Sequence, residues 1–181
     1  MMKNFPNHVA LTGLSACLLS CASPQANPPT VPKLDAARYS GVWHEIARLP
    51  NPFEKDLVAA KAIYQARPDG TISVRNEGLK DDGTRTSING TARPPEPGDP
   101  GKLLVRFDKF PANLFEGDYW ILQIDPSYTR ALVGSPDKKF LWLLSKNPTD
   151  GRGEFSAEIQ TAQKLGYATG ELYFNPKRIA K

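Results

Sequence analysis

Glu45 stands two residues after Trp43 in the run Gly41-Val42-Trp43-His44-Glu45-Ile46-Ala47-Arg48. On a β-strand, that spacing puts the carboxylate and the indole on one face. A carboxylate among apolar side chains can act as a general acid or base, or meet a polar group on a bound guest. The partners that hydrolytic or metal chemistry needs do not accompany it. The chain has two histidines. His8 lies in the leader described below, and His44 alternates to the opposite face. No His/Cys cluster has metal-ligand spacing. No Gly-rich loop opens a helix to cradle phosphate. No second carboxylate falls on the strand face that carries Glu45. Catalysis would have to work through Glu45 and Tyr119 alone, so the residue types point to holding a molecule, with neither a catalytic group nor a cofactor.

The elements that must position these residues are short strands. The 181 residues are 40% apolar and 23% charged, with 17 Pro and 14 Gly, which suits one domain with many turns. The formal charge of +4 comes with no Lys/Arg run dense enough to grip phosphates, which argues against a nucleic-acid partner. Strand signals recur near 41–49, 58–66, 71–78, 85–92, 102–107, 118–125, 129–134 and 139–145. Pro68-Asp69-Gly70, Asp81-Asp82-Gly83, Asp125-Pro126-Ser127 and Ser135-Pro136-Asp137 separate them. Short strands at this spacing favour a meander barrel or sandwich. Leu34 to Tyr39 reads as a helical turn with Asp35 as its cap. Phe155, Ile159, Ala162 and Leu165 form one apolar stripe stopped by Gly166, which predicts a helix on the outside of the sheet. Glu171 to Phe174 could add an edge strand, and Lys177 to Lys181 read as a frayed tail.

Alternating up and down strands puts the 50–57 and 108–117 connections at the same end, opposite Trp43. Phe53, Phe110, Leu114 and Phe115 on those loops could gate a ligand, touch a membrane or pack back on the rim.

The N-terminus reads as a leader. Lys3 precedes the apolar stretch Val9 to Ser20, which is too short to span a bilayer. Leu18-Leu19-Ser20-Cys21 resembles the lipobox of bacterial lipoproteins, and so does Leu14-Ser15-Ala16-Cys17. The longer apolar core upstream favours Cys21 over Cys17. An ordinary secretory signal is the alternative. The reading is therefore residues 1–20 as signal peptide, 21–33 as lipidated Cys and Pro-rich tether, and 34–181 as the folded domain. With no other Cys, the mature domain has no internal disulfide, and its core alone must hold it. Ala22 after the lipobox, in place of Asp, follows the bacterial pattern for the outer membrane. That implies a lipid-anchored protein facing the periplasm of a Gram-negative cell.

From about Leu34 to Phe174 the chain resembles the lipocalin family, in particular its bacterial outer-membrane lipoprotein branch. Gly41-Val42-Trp43 matches the first family motif, Gly117-Asp118-Tyr119 loosely the second, and Leu141-Trp142-Leu143-Leu144-Ser145-Lys146 the third. The third motif ends in Arg in the family, and Lys146 stands there instead. A point charge cannot reproduce a planar fork that stacks and bonds in two places, so a weaker floor is expected, with a cation–π contact to Trp43 remaining.

The resemblance implies a mostly β fold: an eight-stranded antiparallel up-and-down barrel with one C-terminal helix outside. Gly41, Trp43, Asp118 and Lys146 would be its structural motif residues. Period two then places Trp43, Glu45 and Ala47 inward and His44, Ile46 and Arg48 outward. Anchoring the other strands by resemblance adds Ala60, Ala62, Tyr64, Val74, Asn76, Leu103, Val105, Phe107, Tyr119, Ile121, Gln123, Val133, Phe140, Trp142 and Leu144 to the lumen.

Glu45 could simply order the floor, or could meet a polar head group with Asn76 and Tyr119. The implied guest is a fatty acid or lysophospholipid, with its chain along the lumen and its head near the mouth. A haem- or pigment-like guest and a plugged, non-binding scaffold are the alternatives.

Overall fold

The computed structural model describes residues 27–95 and 99–179. The leader, both cysteines and the first part of the tether lie outside the described residues. A turn of helix, α1 (Ala36–Tyr39), opens the fold, and the Asp35 carboxylate accepts from the Arg38 N–H at its start. Eight strands follow: β1 (Gly41–Arg48), β2 (Leu57–Ala66), β3 (Ile72–Lys80), β4 (Arg85–Arg93), β5 (Lys102–Phe107), β6 (Gly117–Ile124), β7 (Arg130–Gly134) and β8 (Leu141–Ser145). Helix α2 (Ser156–Lys164) and a two-residue strand β9 (Tyr173–Phe174) complete it.

Each strand pairs antiparallel with the next, and β8 returns to β1, closing the barrel. β1 pairs with β2 only from Gly41 to His44. Beyond that point β9 takes the free edge of β1, opposite Ala47 and Arg48. The eight predicted strands all form, with ends within about two residues of expectation, because period two and turn chemistry are local signals. Gly70 and Gly83 adopt φ of +83° and +85° in two of the predicted turns.

Two apolar clusters divide the inward and outward faces. The lumen cluster includes Trp43, Ala62, Tyr64, Val74, Leu103, Val105, Ile121, Val133 and Leu144. The outer cluster sandwiches Ile46, Ala47, Trp120, Leu122, Leu132, Leu141 and Leu143 beneath Phe155, Ala162, Tyr167 and Leu172. The helix stripe thus packs where the sequence predicts. Tyr167 donates to the Ser135 carbonyl at 2.9 Å. A Cβ at Gly134 would lie 2.6 Å from the Tyr167 hydroxyl oxygen, so Gly134→Ala must displace that ring. It is expected to cost about 1–3 kcal/mol by chemical denaturation, the usual range for an overpacked interior.

Two bulges shift the alternation. Between Glu45 and Ala47 the β1–β8 register slips by one residue. Ala47 therefore joins the outer cluster and does not face the lumen as expected. A second slip between Ile121 and Gln123 brings Ile124, in place of Gln123, against the lumen cluster. The C-terminal tail is also more ordered than expected through residue 179. The Lys177 N–H donates to the Val58 carbonyl, and Ile179 is 3% exposed. Arg178 donates to the carbonyls of Pro148, Asp150 and Asn175.

Candidate ligand-binding site

The floor is built where α1 turns into β1. Trp43 is fully buried and donates its indole N–H to the Tyr39 carbonyl at 2.7 Å. Lys146 from the end of β8 donates to the carbonyls of Arg38 and Ser40 at 2.7 and 2.9 Å. Its Nζ also stands 5.1 Å from the Trp43 ring centroid. One ammonium thus supplies both a ring contact and two carbonyl bonds, and the expected loss relative to Arg is smaller than its shape alone suggests. Burial, then the Arg38 charge, lower the Lys146 pKa. Gly41 carries φ of +115° at this junction. Asp118 of the second motif is exposed and takes the Trp120 indole N–H at 3.2 Å.

Above Trp43 three phenols converge. The Tyr119 hydroxyl lies 2.7 Å from that of Tyr39 and 2.9 Å from that of Tyr64. Burial comes first among the causes that raise all three phenol pKa values, so all remain protonated. A column of rings continues toward the mouth. Tyr119 stacks on Trp142 at 6.4 Å, Trp142 on Phe140 at 5.7 Å, and Phe140 on Phe53 at 6.1 Å.

Of the residues expected in the lumen, Ala62, Tyr64, Val74, Val105 and Ile121 are buried in its cluster. Phe107, Tyr119 and Trp142 pack against it while staying partly accessible. Asn76 faces Ala62 across β2 and β3, and its buried Oδ1 accepts no bond among the described residues. Phe140 sits at the rim of the ring column. Phe110, Leu114 and Phe115 are 72%, 61% and 69% exposed and stand out at the mouth, whereas Phe53, 79% exposed, lays its ring against Phe140 at the rim.

Glu45 is not the lone carboxylate that the strand pattern implies. It is 4% exposed at the seam where β1 leaves β2. Past the bulge, Arg48 swings to the same side and donates to Glu45 Oε1 at 2.8 Å, which corrects its expected outward placement. Arg48 also donates to Asn175 Oδ1 and to the carbonyls of Glu54 and Leu57. Asn175 Nδ2 returns a bond to Glu45 Oε1 at 2.9 Å.

From the β1–β2 loop, Glu54 Oε2 takes bonds from Asn51 Nδ2 at 2.6 Å and the Trp142 indole at 3.1 Å. The Glu54 carboxyl stands on the other side of Arg48, 3.9 Å from its Nε, and its charge disfavours a second charge on Glu45. One guanidinium between the buried Glu45 and the half-buried Glu54 leaves one negative charge in excess, and a proton kept on Glu45 cancels it. Burial, then Glu54, push the Glu45 carboxyl up to about 8, against the pull of Arg48 and Asn175.

Folded Glu45 therefore holds its proton more tightly than the unfolded chain does. Its contribution to stability is complete below the ordinary value of 4.5 and is lost as pH rises toward about 8. The denaturation midpoint is expected to fall from about pH 5 to about pH 8. Glu45→Gln should flatten that slope.

Arg48, Glu54 and Asn175 were not expected at the site. An arginine inside an apolar strand was the one available hint. Two hollows on the outer wall measure about 290 and 240 Å³. The first is lined by Arg75, Glu77, Arg85, Ser87 and Ile179, and the second by Arg48, Pro50, Leu57, Val58 and Tyr173. Both lie outside the lumen.

Comparison with known proteins agrees with this architecture. The family model described as "Lipocalin-like domain" matches residues 34–177. Temperature-induced lipocalin-1 of Arabidopsis thaliana is 38% identical over 149 residues, covering 80% of each chain. Outer membrane lipoprotein Blc of Citrobacter freundii is 35% identical over 176 residues, covering 94% of this chain and 96% of its own. The solved structure of insecticyanin from the tobacco hornworm Manduca sexta superposes with a TM-score of 0.64. That match covers 86% of this chain and 88% of insecticyanin at 22% identity, a likeness of fold alone. By its motifs, its closed barrel and these relatives, the chain belongs to the lipocalin family.

Proposed function

We propose that this protein is a membrane-anchored carrier that holds a fatty acid or lysophospholipid in its lumen. The observation that carries this reading is an apolar, aromatic cluster inside a closed barrel, beneath a rim of exposed Phe53, Phe110, Leu114 and Phe115. Such a lumen supplies apolar area for an acyl chain at about 25 cal/mol per Å² before ordering costs. The chain would run past Ala62, Val74, Val105, Phe107, Ile121 and Phe140, with Tyr64 and Trp142 as aromatic walls. Relatives named as outer membrane lipoproteins support an anchor at Cys21, or Cys17, in the outer membrane facing the periplasm. Nothing in the site arranges a nucleophile with a base, and a carrier role fits the family better than catalysis.

Native mass spectrometry of protein extracted from cells should show a co-purifying lipid, and a fluorescent fatty acid should bind and be displaced by it. Labelled palmitate should enter the wild-type chain and be lost in Cys21→Ala. Absence of any bound or displaceable lipid would overturn the carrier reading. The ring column from Tyr119 to Phe53 favours a second reading, a barrel filled by its own side chains that serves as a scaffold. The same displacement experiment separates the two.

A further inference from the structure

We infer that the lumen floor binds the uncharged oxygen end of a long-chain alcohol or protonated fatty acid, inserted polar end first, with the Tyr119 hydroxyl as donor. This rests on the lumen being the guest's site, and it reverses the head-at-mouth orientation expected from the sequence.

The argument begins with counting protons. Three phenols carry three hydroxyl protons, and the two bonds among them use two. The third has no acceptor among the described residues. Tyr39 and Tyr64 are 0% and 6% exposed, so a spare proton on either would be buried and unsatisfied. Tyr119 is the hub of both bonds and the partly accessible member of the trio. The favourable arrangement has both neighbours donating to Tyr119, which leaves its own proton free for the lumen. The unpartnered Asn76 Oδ1 is a second vacant polar position on the lumen wall, an acceptor for a guest hydroxyl.

Charge restricts the guest. Lys146 is spent on the carbonyls of Arg38 and Ser40, outside the Trp43 ring. Arg48 is divided among Glu45, Asn175 and two carbonyls. Neither cation is left to balance a buried phosphate or carboxylate, and burying a lone anion is costly. An alcohol, or an acid that keeps its proton, meets no such penalty.

The test compares a saturated 1-alkanol with the alkane of equal length, each delivered from cyclodextrin and followed by displacement of a fluorescent fatty acid. Wild type should prefer the alcohol by roughly tenfold, the worth of one well-placed hydrogen bond. Tyr119→Phe should bring that preference close to unity while keeping alkane affinity. Tyr64→Phe should retain most of it, because Tyr119 keeps its proton. If Tyr119→Phe does not fold, the wild-type ratio and Asn76→Leu carry the test. Equal affinity of wild type for both guests, or an undiminished preference in Tyr119→Phe, overturns this site while leaving the carrier reading intact. Failure of every guest to bind overturns both.

Discussion

Arg48→Met is expected to lower the unfolding free energy by about 3–5 kcal/mol, the usual cost of removing one partner from a buried ion pair. Arg48 is 3% exposed and stands between Glu45 at 2.8 Å and Glu54 at 3.9 Å. Without it, two carboxyls face each other under cover, and the carbonyls of Glu54 and Leu57 lose their donor. The damage extends to the mouth. Glu54 holds both Asn51 in the β1–β2 loop and the Trp142 indole, so this loop and its Phe53 should loosen. Adding Glu54→Gln to Arg48→Met removes the carboxylate that Arg48 would otherwise balance and should recover a substantial part of the loss. Two-state denaturation of the single and double variants gives the coupling between them. A single-variant loss below about 1 kcal/mol would show that water reaches the cluster and satisfies it.

Trp43→Ala carries a loss of similar size, about 3–5 kcal/mol, from a large cavity in a close-packed interior. The indole is fully buried, 4.9 Å from the Tyr39 ring and 5.1 Å from Lys146 Nζ. Its N–H also holds the Tyr39 carbonyl. Removing it takes away the surface beneath the phenol trio and the ring that faces the Lys146 ammonium. Near-ultraviolet circular dichroism should weaken, and the denaturation midpoint should fall. Trp43→Phe keeps a ring but loses the indole donor, and should cost about 1–2 kcal/mol, near the worth of one hydrogen bond with modest repacking. A Trp43→Ala variant as stable as wild type would mean the barrel closes without its plug.

The strands and the helix were legible because their signals are local. Asp69-Gly70 and Asp82-Gly83 announce their turns wherever the chain goes, and Phe155 with Ala162 announces an apolar face. The polar seam was not legible, for two physical reasons. Period two carries Trp43 correctly to Glu45 and then fails, because the bulge near Ile46 turns Ala47 outward and Arg48 inward. Bulges leave no reliable mark in a single sequence. Glu54 and Asn175 reach Glu45 only through the closed fold, Asn175 from 130 positions away. The Lys146 bonds to the carbonyls of Arg38 and Ser40 were not legible either. They depend on where the closed barrel places its ammonium, which serves the Trp43 ring and two carbonyls together.

The segment ahead of α1 is pinned at the pole that Trp43 plugs. The Val31 N–H donates to the Ile121 carbonyl, Thr30 bonds Asp99, and the Gly101 backbone is packed against both residues. Any leash that begins upstream of residue 27 therefore pulls on the base of the cup. If the proposed lipid anchor holds that leash, the opening at the opposite pole would be turned away from the anchoring surface. Cargo would then be offered outward, across the gap, to whatever stands on the other shore.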